Sequence, residues 1–135
     1  MHFSSLIFDL DGTLWDSTIA FTKAYNNVFK QHQLNLEISL QDIRRLMGLP
    51  ADEYFQKILI KAPSTQQSEL TKALIKEEIL VVKELSNQLF YPGVIEGINK
   101  LKNNYDLYIV SNCQTNYLEA FIKHTSIGEL FIDSE

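Results

Sequence analysis

One cysteine, Cys113, is too few for an internal disulfide, so packing alone must hold the chain together. That usage fits a reducing compartment. Basic residues are also scarce: 12 Lys and Arg against 17 Asp and Glu leave a net charge of −5. Such a balance excludes the basic stripe of a nucleic-acid surface. No apolar run approaches the roughly 20 residues that span a bilayer. The opening "MHFSSLIFDLDG" lacks the basic head and small-residue cleavage site of a secretory signal. The five glycines are scattered, so no glycine-rich loop is available to cradle a phosphate. Together these absences predict a cytoplasmic protein with no nucleic-acid and no membrane partner. Its 135 residues suffice for one domain, or for a small core plus an insert.

What the chain does have begins with "LIFDLDGTLWDS", Leu6 to Ser17. Phe3 to Phe8 reads as a short buried strand, stopped by Asp9, Asp11 and Gly12. Charge at the mouth of a buried strand is costly unless a cation sits there. From Ser17 the apolar period becomes helical, with Phe21, Ala24, Tyr25, Val28 and Phe29 on one face. A second helix is predicted from Ser39, with Asp42 placed to close a capping box and Gly48 to end it. Pro50 suits the start of a third, carrying Tyr54, Phe55, Ile58 and Leu59. A fourth runs from about Thr65 to Leu89, with Leu70, Leu74, Val81 and Leu85 as its apolar positions. Pro92 and Gly93 then punctuate the chain. A helix through Ile95, Ile98 and Leu101 follows, and "DLYIV" (Asp106 to Val110) reads as a second buried strand leading into Ser111 and Asn112. Another helix carries Tyr117, Leu118, Phe121 and Ile122, and Leu130 to Asp133 reads as a third strand.

This order predicts an α/β fold: an incomplete Rossmann-like parallel sheet of about three strands, with an all-helical insert. The expected division is a partial core of residues 1–16 and 90–135 around a helical domain of residues 17–89. Right-handed crossovers would bring both strand ends, Asp9/Asp11 and Ser111/Asn112, to one rim. Two carboxylates this close repel unless a proton or cation intervenes, and Mg²⁺ suits a carboxylate pair with waters and phosphate oxygens. One aspartate can attack phosphorus, the other can serve as acid and base, and Ser111 can hold a phosphoryl oxygen. Equally, Asp9 and Asp11 can be turn residues and Ser111 a helix cap. The motif alone leaves both readings open.

"FDLDGTLWDS" resembles the first motif of the haloacid dehalogenase-like superfamily, hydrophobic-D-x-D-G-T, and "LYIVSNCQ" resembles its second. "FYPGVIEGINKLKNNYDLYIVSN" is similar to the approach to that second motif in phosphoglycolate-phosphatase-like members. The resemblance implies that residues 17–89 form the family's cap domain. It further implies that Asp9 is the nucleophile and Asp11 the acid/base. Both would lie at the Mg²⁺ site, Asp9 through its carboxylate and Asp11 through its backbone carbonyl. Thr13 would help hold the acid/base, and Ser111, with Asn112 beside it, would bind phosphate. An aspartate at position 11 favours phosphoryl transfer over dehalogenation. The absence of an arginine near Ala51, just after the cap turn, favours a hydrolase over a sugar-phosphate mutase. The implied activity is Mg²⁺-dependent hydrolysis of a small phosphate monoester, a phosphorylated metabolite such as phosphoglycolate or a sugar phosphate, through an aspartyl-phosphate.

Two family motifs, a lysine after the third strand and an acidic pair after the fourth, have no match. Lys123 falls in the preceding helix and reads as solvated; Asp133 and Glu135 come too early and are not assigned as ligands. The chain is therefore expected to be truncated, with weak Mg²⁺ binding, impaired turnover, and an unpaired first-strand edge open to self-association. A non-catalytic fragment that assembles through that edge is the alternative reading. Arg44 or Arg45, in the cap turn, can meet a substrate anion or simply face solvent. Trp15 either packs on substrate or anchors the junction between core and cap, and Asp16 is expected to cap the first cap helix. His2, His32 and His124 share no ligand spacing, and Cys113 reads as a small residue beside the site.

Overall fold

The computed structural model describes residues 3–134, so His2 and Glu135 lie outside the described residues. Strand β1 (Ser5–Phe8) is followed by α1 (Thr18–Gln31), α2 (Leu40–Leu46), α3 (Ala51–Ile58) and α4 (Gln67–Leu85). Then come α5 (Val94–Leu101), β2 (Asp106–Ile109), α6 (Thr115–His124) and β3 (Asp133–Ser134). The sheet has the order β1-β2-β3, all parallel, with Ser5 opposite Asp106 and Tyr108 opposite Asp133. The predicted α/β architecture is the one observed.

Local chemistry accounts for the helices. In α1 the predicted stripe of Phe21, Ala24, Tyr25, Val28 and Phe29 is buried. The Asn26 amide clamps the following loop by bonding both the N–H and the carbonyl of Ile38 at 2.9 Å. In α2 the capping box forms as expected: Ser39 Oγ accepts from the Asp42 N–H at 3.1 Å, and Asp42 accepts from the Ser39 N–H at 3.0 Å. The fourth helix ends sooner than predicted. Ser86 takes a positive φ of 47°, breaking α4 into a short 3₁₀ turn over Ser86–Leu89. There the Ser86 hydroxyl donates to the His124 carbonyl at the end of α6, and Asn87 Oδ1 accepts from the Ser126 N–H. Helix α4 thus packs on both α1 and α6, joining the helical block to the sheet layer.

Two strand expectations need correction. β1 is not buried: it alternates between exposed and half-buried positions, and Ile7 is 70% exposed. Its one strand partner among the described residues is β2, so its outer edge has no covering element there. The third strand begins later than Leu130, because Gly128–Leu130 forms a 3₁₀ turn and β3 spans only Asp133–Ser134. Gly128 is required at that turn, since a Cβ there would lie 2.2 Å from the Ile122 carbonyl oxygen. Gly128→Ala must push backbone against backbone, so we expect a loss of about 1–3 kcal/mol in urea unfolding.

The chain enters and leaves the helical block side by side. The Asp16 N–H donates to the Leu89 carbonyl at 2.9 Å, and the Tyr91 N–H to the Leu14 carbonyl at 3.1 Å. Trp15, fully buried, sits between these crossings with its ring 5.6 Å from Phe90 and 5.0 Å from Phe121. Of its two sequence readings, the structure supports the anchor.

Candidate functional site

A cleft opens where the C-terminal ends of β1 and β2 meet the helical block. Asp9, Asp11, Ser111 and Asn112 line one side of it, with Cys113 and Gln114 beside them. The two acidic residues and the Ser-Asn pair, distant in sequence, therefore share one rim. Parallel pairing explains this: Phe8 lies opposite Ile109, and the Val110 N–H donates to the Phe8 carbonyl at 2.9 Å, so both chains leave the sheet at the same level. The turn after Asp11 needs a left-handed residue, and Gly12 supplies it with φ 77°.

The two aspartates differ sharply in surroundings. Asp9 is exposed, and its Oδ2 accepts a hydrogen bond from Thr13 Oγ1 at 2.9 Å. Thr13 thus braces Asp9, rather than Asp11 as the family resemblance implied. Asp11 Oδ1 accepts from Tyr117 OH at 2.7 Å, Trp15 Nε1 at 3.0 Å and Ser17 Oγ at 3.4 Å. Burial raises the Asp11 carboxyl above the usual carboxylate range, and the nearby Asp9 charge adds to this. The bonds from Tyr117, Trp15 and Ser17 oppose that rise. One carboxyl is therefore open and braced, the other half-buried and held by three donors, with its proton affinity raised chiefly by desolvation.

Trp15→Phe tests this arrangement. It keeps much of the aromatic packing but removes one of three donors to a half-buried carboxyl, and should cost about 1–2 kcal/mol in chemical denaturation.

Other predicted residues fall as follows. Ser111 is half-buried, and its Oγ accepts from the Cys113 N–H at 3.3 Å. Asn112 Nδ2 donates across the cleft to the Gly48 carbonyl at 2.9 Å, tying the end of β2 to the turn between α2 and α3. Arg45 does not reach this cleft; it lines a separate groove with Asp42, Lys57 and Lys61. Arg44 lies 3.8 Å from Asp16 in an ion pair. The N-cap of α1 is Ser17 rather than Asp16; Asp16, one residue earlier, accepts from the Thr18 N–H at 2.9 Å. Lys123 is exposed on α6, in keeping with a solvated lysine. Burial pushes the Cys113 thiol up to about 11, so it stays protonated and poorly nucleophilic near neutrality.

Three cleft residues were missed from sequence. Tyr117, Tyr54 and Glu78 all line the cleft, Tyr117 and Tyr54 having been read as core and Glu78 passed over. The signal for Glu78 was present: Leu70, Leu74, Glu78 and Val82 recur every fourth residue, and all are buried. An acid inside a buried stripe marks either a paired charge or a site.

For a divalent cation, the open Asp9 carboxylate and the Asp11 backbone carbonyl are oxygen donors of the kind Mg²⁺ accepts. No backbone N–H among the described residues bonds that carbonyl. The donor set is sparse, since no group of three or more His, Cys, Asp or Glu converges among the described residues. It fits an ion that keeps most of its waters and takes further oxygens from a substrate.

The geometry can be set beside known proteins. Over 129 residues the chain is 28% identical to the phosphoglycolate phosphatase of Rhodobacter capsulatus, matching 94% of this chain and 58% of that protein. Over 130 residues it is 30% identical to a probable phosphatase of Dickeya dadantii, matching 93% of this chain and 55% of that one. The chain thus spans 55–58% of the length of these curated relatives. The crystal structure of a predicted phosphoglycolate phosphatase from Haemophilus somnus superposes with a TM-score of 0.76 at 26% identity, covering 98% of this chain and 61% of that one. The haloacid dehalogenase-like hydrolase family matches residues 6–132, from within β1 to the residue just before β3. The chain belongs to the haloacid dehalogenase-like hydrolases.

Proposed function

We propose that this chain carries the catalytic aspartates of a Mg²⁺-dependent phosphatase acting on a small phosphate monoester. The observation that carries this reading is the contrast between the open Asp9 and the half-buried, donor-held Asp11 on one rim with Ser111. An Asp9 carboxylate oxygen attacks phosphorus, the P–O ester bond breaks, and Asp11 gives its proton to the departing alkoxide. Water then attacks the aspartyl-phosphate and loses its proton to Asp11, releasing phosphate and restoring Asp9. The Ser111 hydroxyl and neighbouring N–H groups steady the phosphoryl oxygens. Asp9 and the Asp11 carbonyl would hold the Mg²⁺, which neutralises phosphoryl charge. Residues 17–89 act as the cap over this site, and its turn at Gly48 meets the core through Asn112.

Among the described residues no lysine lines the cleft, so slow turnover is expected from these residues alone. The test is release of phosphate from a generic aryl phosphate with and without Mg²⁺, together with mass analysis of the Asp9 peptide after rapid acid quench. Phosphorylation at Asp9 that needs Mg²⁺ supports the reading. Phosphate release without it, or a phosphoryl group elsewhere, overturns it.

A second reading, assembly through the first strand, is favoured by the open β1 edge and by Ile7, which is 70% exposed. It predicts concentration-dependent sedimentation that Ile7→Lys abolishes. A monomer at every concentration, wild-type and variant alike, sinks it.

A further inference from the structure

The hydrolysis proposed above leaves unused a set of buried polar groups in the helical block. Glu78 on α4 is 6% exposed, Tyr25 on α1 is 0% exposed, and Tyr54 on α3 is 8% exposed. The Tyr25 hydroxyl donates to Glu78 Oε1, fixing the carboxyl from the interior side. The Tyr54 hydroxyl has no hydrogen-bond partner among the described residues, although it is buried. An unmade bond of this kind is a standing cost that a bound group can remove. Tyr54 and Glu78 line the same cleft as Asp9, Asp11 and Ser111.

The charge of the cleft narrows what can bind there. Its titratable lining consists of Asp9, Asp11, Glu78 and the weakly acidic Tyr54, Tyr117 and Cys113, with no Lys, Arg or His among the described lining residues. Arg44 is paired with Asp16 instead, and Arg45 faces the other groove. A carboxylate placed beside Glu78 would meet further acids and no countercharge, in surroundings where charge is poorly screened. A hydroxyl would instead pair with the Tyr54 hydroxyl and the Glu78 carboxyl together. An ammonium would donate to the Glu78 carboxyl, and its charge would favour the ionised form that burial disfavours.

We propose that Glu78 and Tyr54 form the subsite for the leaving-group end of the substrate, taking a hydrogen-bonding group without negative charge, a hydroxyl or an ammonium, and rejecting a carboxylate. The assignment rests on the phosphatase reading of Asp9 and Asp11, and it separates this chain from a preference for phosphoglycolate.

The test is calorimetric binding of three two-carbon phosphate esters to the full chain with Mg²⁺, alongside inorganic phosphate. They are hydroxyethyl phosphate, phosphoethanolamine and phosphoglycolate, which differ at the end remote from phosphate. At least one of the first two should bind about tenfold or more tighter than phosphoglycolate. Tyr54→Phe should level a preference for the hydroxyl, and Glu78→Gln a preference for the ammonium. Phosphate binding with no preference among the esters, or a preference for phosphoglycolate, overturns the subsite alone. A preference that survives both substitutions does the same. Absence of binding by phosphate and all three esters overturns the phosphatase reading and takes the subsite with it.

Discussion

Asp9→Asn should lower Mg²⁺-dependent phosphate release by on the order of 10³-fold or more, while leaving stability within about 0.5 kcal/mol of wild type. The two halves of that expectation have different causes. Asparagine keeps the shape of the side chain, and its carbonyl oxygen can still accept from Thr13 Oγ1, so the turn at Gly12 is undisturbed. What disappears is the anionic oxygen that would bond to phosphorus, and no neighbouring group in the turn can replace it. Asp9 is exposed, and its charge is a minor cause of the rise at Asp11, so removing it changes stability little. Steady-state release, thermal unfolding and Asp9 phosphorylation measured on one preparation separate the two effects. Wild-type release by the variant would place the nucleophile elsewhere, or assign the activity to a contaminant.

The second large effect is a stability change with pH, carried by Glu78. Burial raises its carboxyl from 4.5 to about 8, and the nearby Asp11 adds to the rise, while the hydrogen bond from Tyr25 opposes it. The folded form therefore holds a proton that the unfolded chain releases at much lower pH. Stability from this group is complete below about 4.5 and is lost as pH climbs towards about 8. The span corresponds to roughly 4–5 kcal/mol, at about 1.4 kcal/mol per tenfold in proton affinity. Groups facing Glu78 behave compatibly: Tyr25 and Tyr54 are both pushed up by burial, and Asp11 is raised as well. Glu78→Gln keeps an oxygen for the Tyr25 hydroxyl and has no proton to lose. Urea midpoints at pH 5 should nearly coincide for the two proteins, and at pH 8.5 the variant should be clearly the more stable. Parallel pH profiles would show that Glu78 is ionised or solvated in the folded protein.

The sequence was most legible where local chemistry decides conformation. The Ser39–Asp42 capping box, the buried face of α1 and the glycine turn after Asp11 were all readable, because each depends on residues within a few positions of one another. It was least legible where distant segments set the surroundings. Leu130 to Asp133 has the composition of a strand, yet close approach of Gly128 to the Ile122 backbone bends the chain into a 3₁₀ turn first. Phe3 to Phe8 is apolar enough for a buried strand but stays largely open, since composition cannot say what covers an edge.

The site divides in the same way. "FDLDGT" by itself determined that two acids leave the first strand through a glycine turn, and the strand-helix order determined that Ser111 would join them. Only the tertiary structure decided how the two acids differ. Tyr117, from α6, joins the nearby Trp15 and Ser17 in holding Asp11, while Asp9 keeps a single threonine. Only the tertiary structure, too, turned Glu78 from one acid in a long helix into a buried carboxyl facing the cleft. Residue types and their spacing are written in the chain, but proton affinity depends on burial and on neighbouring charge. Both are set by which helices come together.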